Sequence, residues 1–145
     1  MSAMDRPQTA TDSQAGPGRL LIALYGLFAV AAGSRALYQV ATKWDEAPLA
    51  YGLSAVAALV YLLACAGLAR RTPGAWRLAV AVCAFELAGV LVVGALTTLR
   101  PELFAAATVW SGFGAGYGFV PLVLPALGLG WLLRGATRRA FGVAP

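Results

Sequence analysis

Residues 76–99 read WRLAVAVCAFELAGVLVVGALTTL, and this stretch decides the fold. At about 1.5 Å per residue, a helix of this length crosses the ~30 Å hydrocarbon core of a bilayer. Near its middle lies one carboxylic acid, Glu86, and no other Asp, Glu, Lys or Arg occurs between Leu78 and Leu99. The stretch therefore predicts a membrane-spanning helix that carries a single acid.

The composition of the whole chain favours lipid as its solvent. Hydrophobic residues make up 60% of the 145 residues and charged residues only 12%, against roughly 25% charged in a typical soluble domain. Lipid can replace the polar surface that such a chain lacks. The basic residues lie in short segments between apolar runs, so the net charge of +5 indicates a membrane surface as partner and not nucleic acid.

Four apolar runs separated by short polar segments predict an all-α bundle of four transmembrane helices. The expected spans are residues 20–40, 49–69, 78–99 and 114–133, within a membrane domain of residues 19–135. The polar residues 1–18 predict a disordered tail, and residues 136–145 a basic tail. A signal peptide over residues 20–33 is a rival reading. Against it, the apolar character resumes after Arg35, and acids lie upstream.

Residues 103–133 carry no charge and form a run too long for one upright helix. Pro101 and Glu102 suit the first turn of a helix, and they predict a short interfacial helix over about residues 101–109. GFGAGYGF follows at residues 112–119, and it can be a loop, a helix entry or a re-entrant segment. Its Gly-Tyr-Gly occurs in potassium filters, but without the Thr-Val that precedes it there, and its GxxxG spacing favours close packing.

The loop charges predict that both termini are cytoplasmic. The two tails and the second loop hold eight arginines, and the other two loops hold only Lys43 and Arg100. Cytoplasmic loops carry the excess of basic residues. With this orientation, two tryptophans fit the outer interface as anchors, Trp44 and Trp110, and two fit the inner one, Trp76 and Trp131.

Glu86, Arg35 and Gln39 form the candidate intramembrane polar site. A charged acid at a helix centre costs about 2.5–3.5 kcal/mol on insertion scales, so Glu86 is expected to face protein or water. Its helix face carries mostly small residues, which allow a neighbouring helix to approach: Ala79, Val82, Cys83, Gly89, Val90, Val93 and Thr97. Arg35 is the nearest basic candidate, but the helical rise places it roughly 10 Å from Glu86 in depth. A salt bridge and an Arg35 that snorkels to the interface both remain open.

The sequence contains no pattern typical of a catalytic or metal site. Histidine is absent, no catalytic motif or phosphate loop occurs, and Cys65 and Cys83 lack CxxC spacing and read as core thiols. We therefore expect no metal, no cofactor and no enzymatic activity. The leading prediction is an accessory or interaction subunit that binds another membrane protein or a second copy of itself. The alternatives are a small proton-coupled transporter that uses Glu86, and a membrane-embedded enzyme.

Three stretches together resemble a group of small integral membrane proteins of actinobacteria: WDEAPLAY at residues 44–51, FELAGVLVVG at 85–94 and GYGFVP at 116–121. The resemblance covers about residues 18–135. It implies a bacterial cell-membrane location and four helices, and it transfers no site. The chain is also loosely similar to small multidrug-resistance transporters, which have four helices and one membrane glutamate. Their glutamate lies in the first span, whereas Glu86 lies in the third.

Overall fold

A computed structural model describes residues 9–143, with side chains from residue 16 onward, and within that range the chain is all-helical and has no strand. The α-helices are α1 (Thr9–Thr42), α2 (Pro48–Ala69), α3 (Pro73–Leu99), α4 (Val120–Leu132) and α5 (Gly135–Ala140). Short 3₁₀ segments at Trp44–Glu46, Pro101–Leu103 and Ser111–Tyr117 connect them.

Three of these helices are long and apolar enough to cross a membrane, over Gly16–Thr42, Pro48–Ala69 and Pro73–Leu99. The fourth candidate is broken, because Ser111–Tyr117 and Val120–Leu132 meet at an angle of 99°. Helix α4 has only 13 residues, a length of about 20 Å, which is short of the ~30 Å hydrocarbon core. The prediction of an all-helical chain with several membrane-length helices is confirmed, and the count is three, or four with the broken pair.

Local sequence explains where these helices begin and end. At the start of α3, the Thr72 side chain accepts a hydrogen bond from the Ala75 N–H at 3.1 Å, and Pro73 occupies the first turn. The helix ends at Leu99 because Arg100 precedes Pro101, and a residue before proline avoids the helical conformation.

The N-terminal tail differs from expectation where the structure describes it, and the basic C-terminal tail contains a short helix. Helix α1 extends back to Thr9, so residues 9–18 are helical rather than disordered, and residues 1–8 lie outside the described residues. A long helix propagates easily once it is nucleated, which explains the extension. At the other end, α5 docks on the bundle: Phe141 is fully buried, and its ring meets Trp131 edge-on at 6.1 Å. Trp131 is thereby buried instead of lying at an interface.

The interfacial helix expected over residues 101–109 is also wrong. Only Pro101–Leu103 forms a turn, and residues 104–107 are irregular. Hydroxyl groups accept the backbone donors that a helix would have used: Ser111 Oγ accepts from Thr108 N at 2.8 Å, and Ser54 Oγ accepts from Val109 N at 3.3 Å. Such side-chain bonds compete with helix formation.

The helices pack in chain order around the core. Helix α1 lies mainly along α2, α2 packs against α3, and α3 packs against both α4 and the Ser111–Tyr117 segment, whereas α1 and α4 meet only sparsely. At Gly67 an added Cβ would lie 3.2 Å from backbone atoms of α3, so the small residue permits this crossing. The outer faces are apolar too, with Leu27 62% and Leu37 72% exposed.

Candidate functional site

Glu86 lies near the centre of α3 and is fully buried. The residues that share its face and are also buried are Ala79, Val82, Cys83, Val90 and Val93, while Gly89 and Thr97 are half-buried. The face counted from the sequence is therefore the one that turns inward. Small residues on it allow the segment before α4 to pack closely on α3, as Trp110 does at Gly89, whereas α1 reaches the acid through a long side chain.

Tyr25 of α1 is the hydrogen-bond partner of Glu86. Its hydroxyl donates to Glu86 Oε2 at 2.8 Å and lies 3.5 Å from Cys83 Sγ, and all three side chains are buried. Tyr25 was not among the residues predicted for the site, although the helical rise places it at a suitable depth. Tyr25 is the sixth residue of the first predicted span and Glu86 the ninth of the third, so their depths differ by only about 5 Å.

Trp110 packs into the core about one turn along α3 from Glu86. It is 2% exposed, its ring lies against Gly89 one turn along α3, and its indole Nε1 donates to the Tyr61 hydroxyl at 3.2 Å. An added Cβ at Gly89 would lie 2.7 Å from this ring. The prediction that Trp110 anchors the outer interface is therefore wrong, because the irregular segment after α3 carries its ring into the core. Trp44, in contrast, is 45% exposed.

One oxygen of Glu86 has no partner among the residues that the structure describes. Oε2 accepts from Tyr25, whereas Oε1 is buried and without a hydrogen bond. An uncompensated buried charge costs several kcal/mol, so this geometry favours the neutral acid over the carboxylate. Chemically, the group can hold one proton and accept one hydrogen bond.

Arg35 and Gln39 do not join Glu86. Arg35 is exposed, and its Nη1 donates to the Tyr117 hydroxyl at 2.7 Å. Gln39 lies one turn further along α1 and is half-buried. The structure shows no salt bridge between Arg35 and Glu86. The guanidinium group of Arg35 instead binds Tyr117 of the Gly-rich segment.

The Gly-rich segment consists of tight left-handed turns. Gly112, Phe113, Gly114, Gly118 and Phe119 all have φ between 57° and 84°. A left-handed conformation costs about 1–2 kcal/mol for a residue with a side chain. Two contacts with α3 offset this cost: the Phe113 ring packs on Gly94, and the Gly112 N–H donates to Thr97 Oγ1 at 2.9 Å. Three of these glycines therefore adopt left-handed turns. They do not form the GxxxG helix packing that their spacing predicts.

Few other side chains in the described part of the chain could act as nucleophiles, metal ligands or ion-pair partners. Cys65 and Cys83 are free thiols, and no group of three or more His, Cys, Asp or Glu side chains could hold a metal there. Glu102 pairs with Arg100 on the surface, and this guanidinium holds the pKa of Glu102 below its usual range. Because both side chains are exposed, the pair adds little to stability.

Four grooves on the described surface are formed by residues other than Glu86. One runs between α1 and α2 past Gly33, one between α2 and α3 past Phe85, one between α1 and α4 past Gly130, and one lies beside the α2–α3 turn at Gly74. Glu86 lines none of these four grooves. The buried acid and the outer surface are therefore separate features of the molecule.

Comparison of the chain with protein-family models, with curated proteins and with solved structures finds no match.

Proposed function

We propose that the protein is a multi-pass integral membrane protein of a bacterial cell membrane, with both termini in the cytoplasm. Its long apolar helices and their exposed leucines support membrane residence. The charge distribution supports the orientation, since the arginines concentrate at the end of the bundle that holds the α2–α3 turn and α5: Arg19, Arg70, Arg71, Arg77, Arg134, Arg138 and Arg139.

Cysteine labelling in intact cells tests this orientation. Lys43 and Arg77 are exposed residues at opposite ends of the bundle. In a background with Cys65→Ala and Cys83→Ala, we expect Lys43→Cys to react with a membrane-impermeant maleimide in intact cells. Arg77→Cys should react only after permeabilisation. The reverse pattern, or equal labelling of both positions in intact cells, would contradict the proposal.

Within the membrane, the leading role that we propose is a non-enzymatic accessory or interaction subunit. The observation that carries this role is the closed core around Glu86. Glu86 is fully buried and bonded to Tyr25, and it lines none of the four grooves described above. A coupling acid has to exchange protons with water on each side in turn, whereas an acid bonded to Tyr25 inside a closed core ties α1 to α3. The apolar outer faces are then the surfaces for another membrane protein or a second copy.

A proton-coupled transporter is the second candidate. Two observations favour it: Glu86 Oε1 is buried without a partner, and the helix that follows this region is broken at its entry. Intramembrane acids and discontinuous helices recur in the ion and substrate pathways of transporters.

Proton flux into liposomes that contain the purified protein distinguishes the two roles. Under an imposed pH gradient and membrane potential, a lumenal pH dye reports the flux. For the accessory role, we expect the wild-type protein to give no flux above that of protein-free liposomes. A flux that is lost in Glu86→Gln and kept in Glu102→Gln, a matched change at an exposed acid, would contradict the accessory role and support the transporter.

A further inference from the structure

The groove between α1 and α4 combines an apolar wall with a charged end. Leu20 and Leu21 line it from α1, Leu127 and Gly130 line it from α4, and Arg134 stands where α4 ends. Its volume is about 320 Å³. The groove lies where residues 17–21 of α1 pass the last two turns of α4, two helices that meet only sparsely.

A second arginine, Arg71, lies near Gly18, the neighbour of a groove residue in α1. The Nη2 atom of Arg71 is 3.7 Å from the position of a Cβ at Gly18, and Gly18 neighbours the Pro17 that lines the groove. The guanidinium of Arg71 also lies over the Phe141 ring, 5.7 Å from its centroid, which fixes its position. Arg71 therefore lies near Gly18 and Phe141, and Arg134 is the arginine that lines the groove itself.

No acid whose side chain the structure describes lies near these arginines. The described acids are Asp45, Glu46, Glu86 and Glu102, and they lie in the core or at the opposite end of the bundle. Two other grooves between helices have no arginine in their lining, whereas the groove beside the α2–α3 turn contains Arg70. The lining of the α1–α2 groove and that of the α2–α3 groove contain only apolar residues.

We propose that the α1–α4 groove binds an anionic phospholipid of the leaflet on the side of the termini. An acyl chain would lie along Leu20, Leu127 and Gly130, and the phosphate group would accept hydrogen bonds from Arg134, which lines the groove. Guanidinium groups bind phosphate oxygens in pairs, and basic pockets between membrane helices select anionic head groups. The inference rests on the proposed membrane residence, and it is independent of the role of Glu86.

Lipid titration of the purified full-length protein in a neutral detergent tests this site. Native mass spectrometry counts the bound phosphatidylglycerol and, separately, phosphatidylcholine with the same acyl chains. We expect phosphatidylglycerol to be retained in preference. Arg134→Gln should weaken its binding about fivefold, since one basic residue near an anionic lipid surface contributes about 1 kcal/mol. Arg77→Gln, an exposed change at the same end and outside the groove, should leave the binding unchanged.

A second pair of variants tests the apolar wall. No atom lies within 4 Å of a Cβ at Gly130 or at Gly33, so a leucine fits at either position without a clash at its Cβ. Gly130→Leu fills the proposed groove and should remove lipid binding, whereas Gly33→Leu fills the α1–α2 groove and should not. Lipid binding by each variant is compared with that of the wild-type protein in the same detergent.

Three results would overturn the proposal: equal retention of the two lipids, unchanged binding in Arg134→Gln, or unchanged binding in Gly130→Leu. Competition by millimolar inorganic phosphate as strong as that by the lipid would also overturn it, because the site would then recognise free phosphate. Each of these results leaves the membrane location intact. That location fails separately if the protein stays in solution when detergent is removed.

Discussion

Replacing Trp110 with alanine is expected to lower the free energy of unfolding by about 3 kcal/mol. The indole ring is 2% exposed, lies on Gly89 and donates to Tyr61, so its removal leaves a cavity and an unpaired hydroxyl in the core. Truncation of buried aromatic residues costs about 3–5 kcal/mol. The low end applies here because transfer of apolar atoms between protein and lipid contributes little.

Titration with SDS in mixed micelles, followed by circular dichroism, measures this loss. Trp44→Ala is the matched control, because Trp44 is 45% exposed and its removal opens no cavity in the core. We expect the control to stay within about 0.5 kcal/mol of the wild-type protein, as is usual for surface substitutions. Equal stability of Trp110→Ala and Trp44→Ala would place the Trp110 ring outside the core and would contradict the described path of the segment after α3.

Tyr25→Phe is expected to cost about 1–3 kcal/mol, because the carboxyl group of Glu86 loses its hydrogen bond inside the core. Glu86→Leu should cost a similar amount, since the Tyr25 hydroxyl then keeps only the weak contact with Cys83 Sγ. The double variant replaces both partners by apolar groups, and such a replacement can be nearly neutral. We therefore expect the double variant to lose less stability than the sum of the two single losses.

The same SDS titration yields this double-mutant cycle, and contacting pairs couple by about 0.5–3 kcal/mol. Tyr38→Phe is the control for the loss of a tyrosine hydroxyl, because Tyr38 lies on the exposed face of α1. If the losses in the free energy of unfolding for Tyr25→Phe and Glu86→Leu are strictly additive, the two side chains do not interact. The hydrogen bond between α1 and α3 would then be contradicted.

The sequence predicted the long helices well because their signals are local. Residues 49–69 were expected to be helical, and α2 occupies Pro48–Ala69. Residues 78–99 were expected, and α3 occupies Pro73–Leu99. An uninterrupted apolar run sets each length, and Pro48, Thr72 and Pro101 mark the ends. Neighbouring residues are enough to predict a helix because its backbone hydrogen bonds join residues only four positions apart.

The segment between α3 and α4 was not predictable from local patterns. Its path depends on the Trp110 ring, which packs against residues 21 and 49 positions away along the chain, Gly89 and Tyr61. It also depends on hydroxyl groups that accept backbone donors, as Ser54 does for Val109. Neither the position of a ring in the core nor the choice of a hydroxyl acceptor leaves a periodic pattern in the sequence.

The candidate site was predicted in part. The placement of Glu86 and its inward face followed from helical periodicity, and the structure buries both. The partner did not follow, because attention to opposite charge favoured Arg35, whereas a neutral hydroxyl at matching depth lies at 2.8 Å. Inside the core, Tyr25 satisfies one oxygen of the acid without burying a second charged group, and its depth along α1 matches that of Glu86.

The shortness of α4 bears on how the chain is inserted during biosynthesis. A 13-residue apolar helix is too short to be recognised as an independent span. Its entry turn is held by contacts with Gly94 and Thr97 of α3. For the proposed membrane protein, we therefore expect α4 to insert only after α3 is in place, because its entry turn is held by α3.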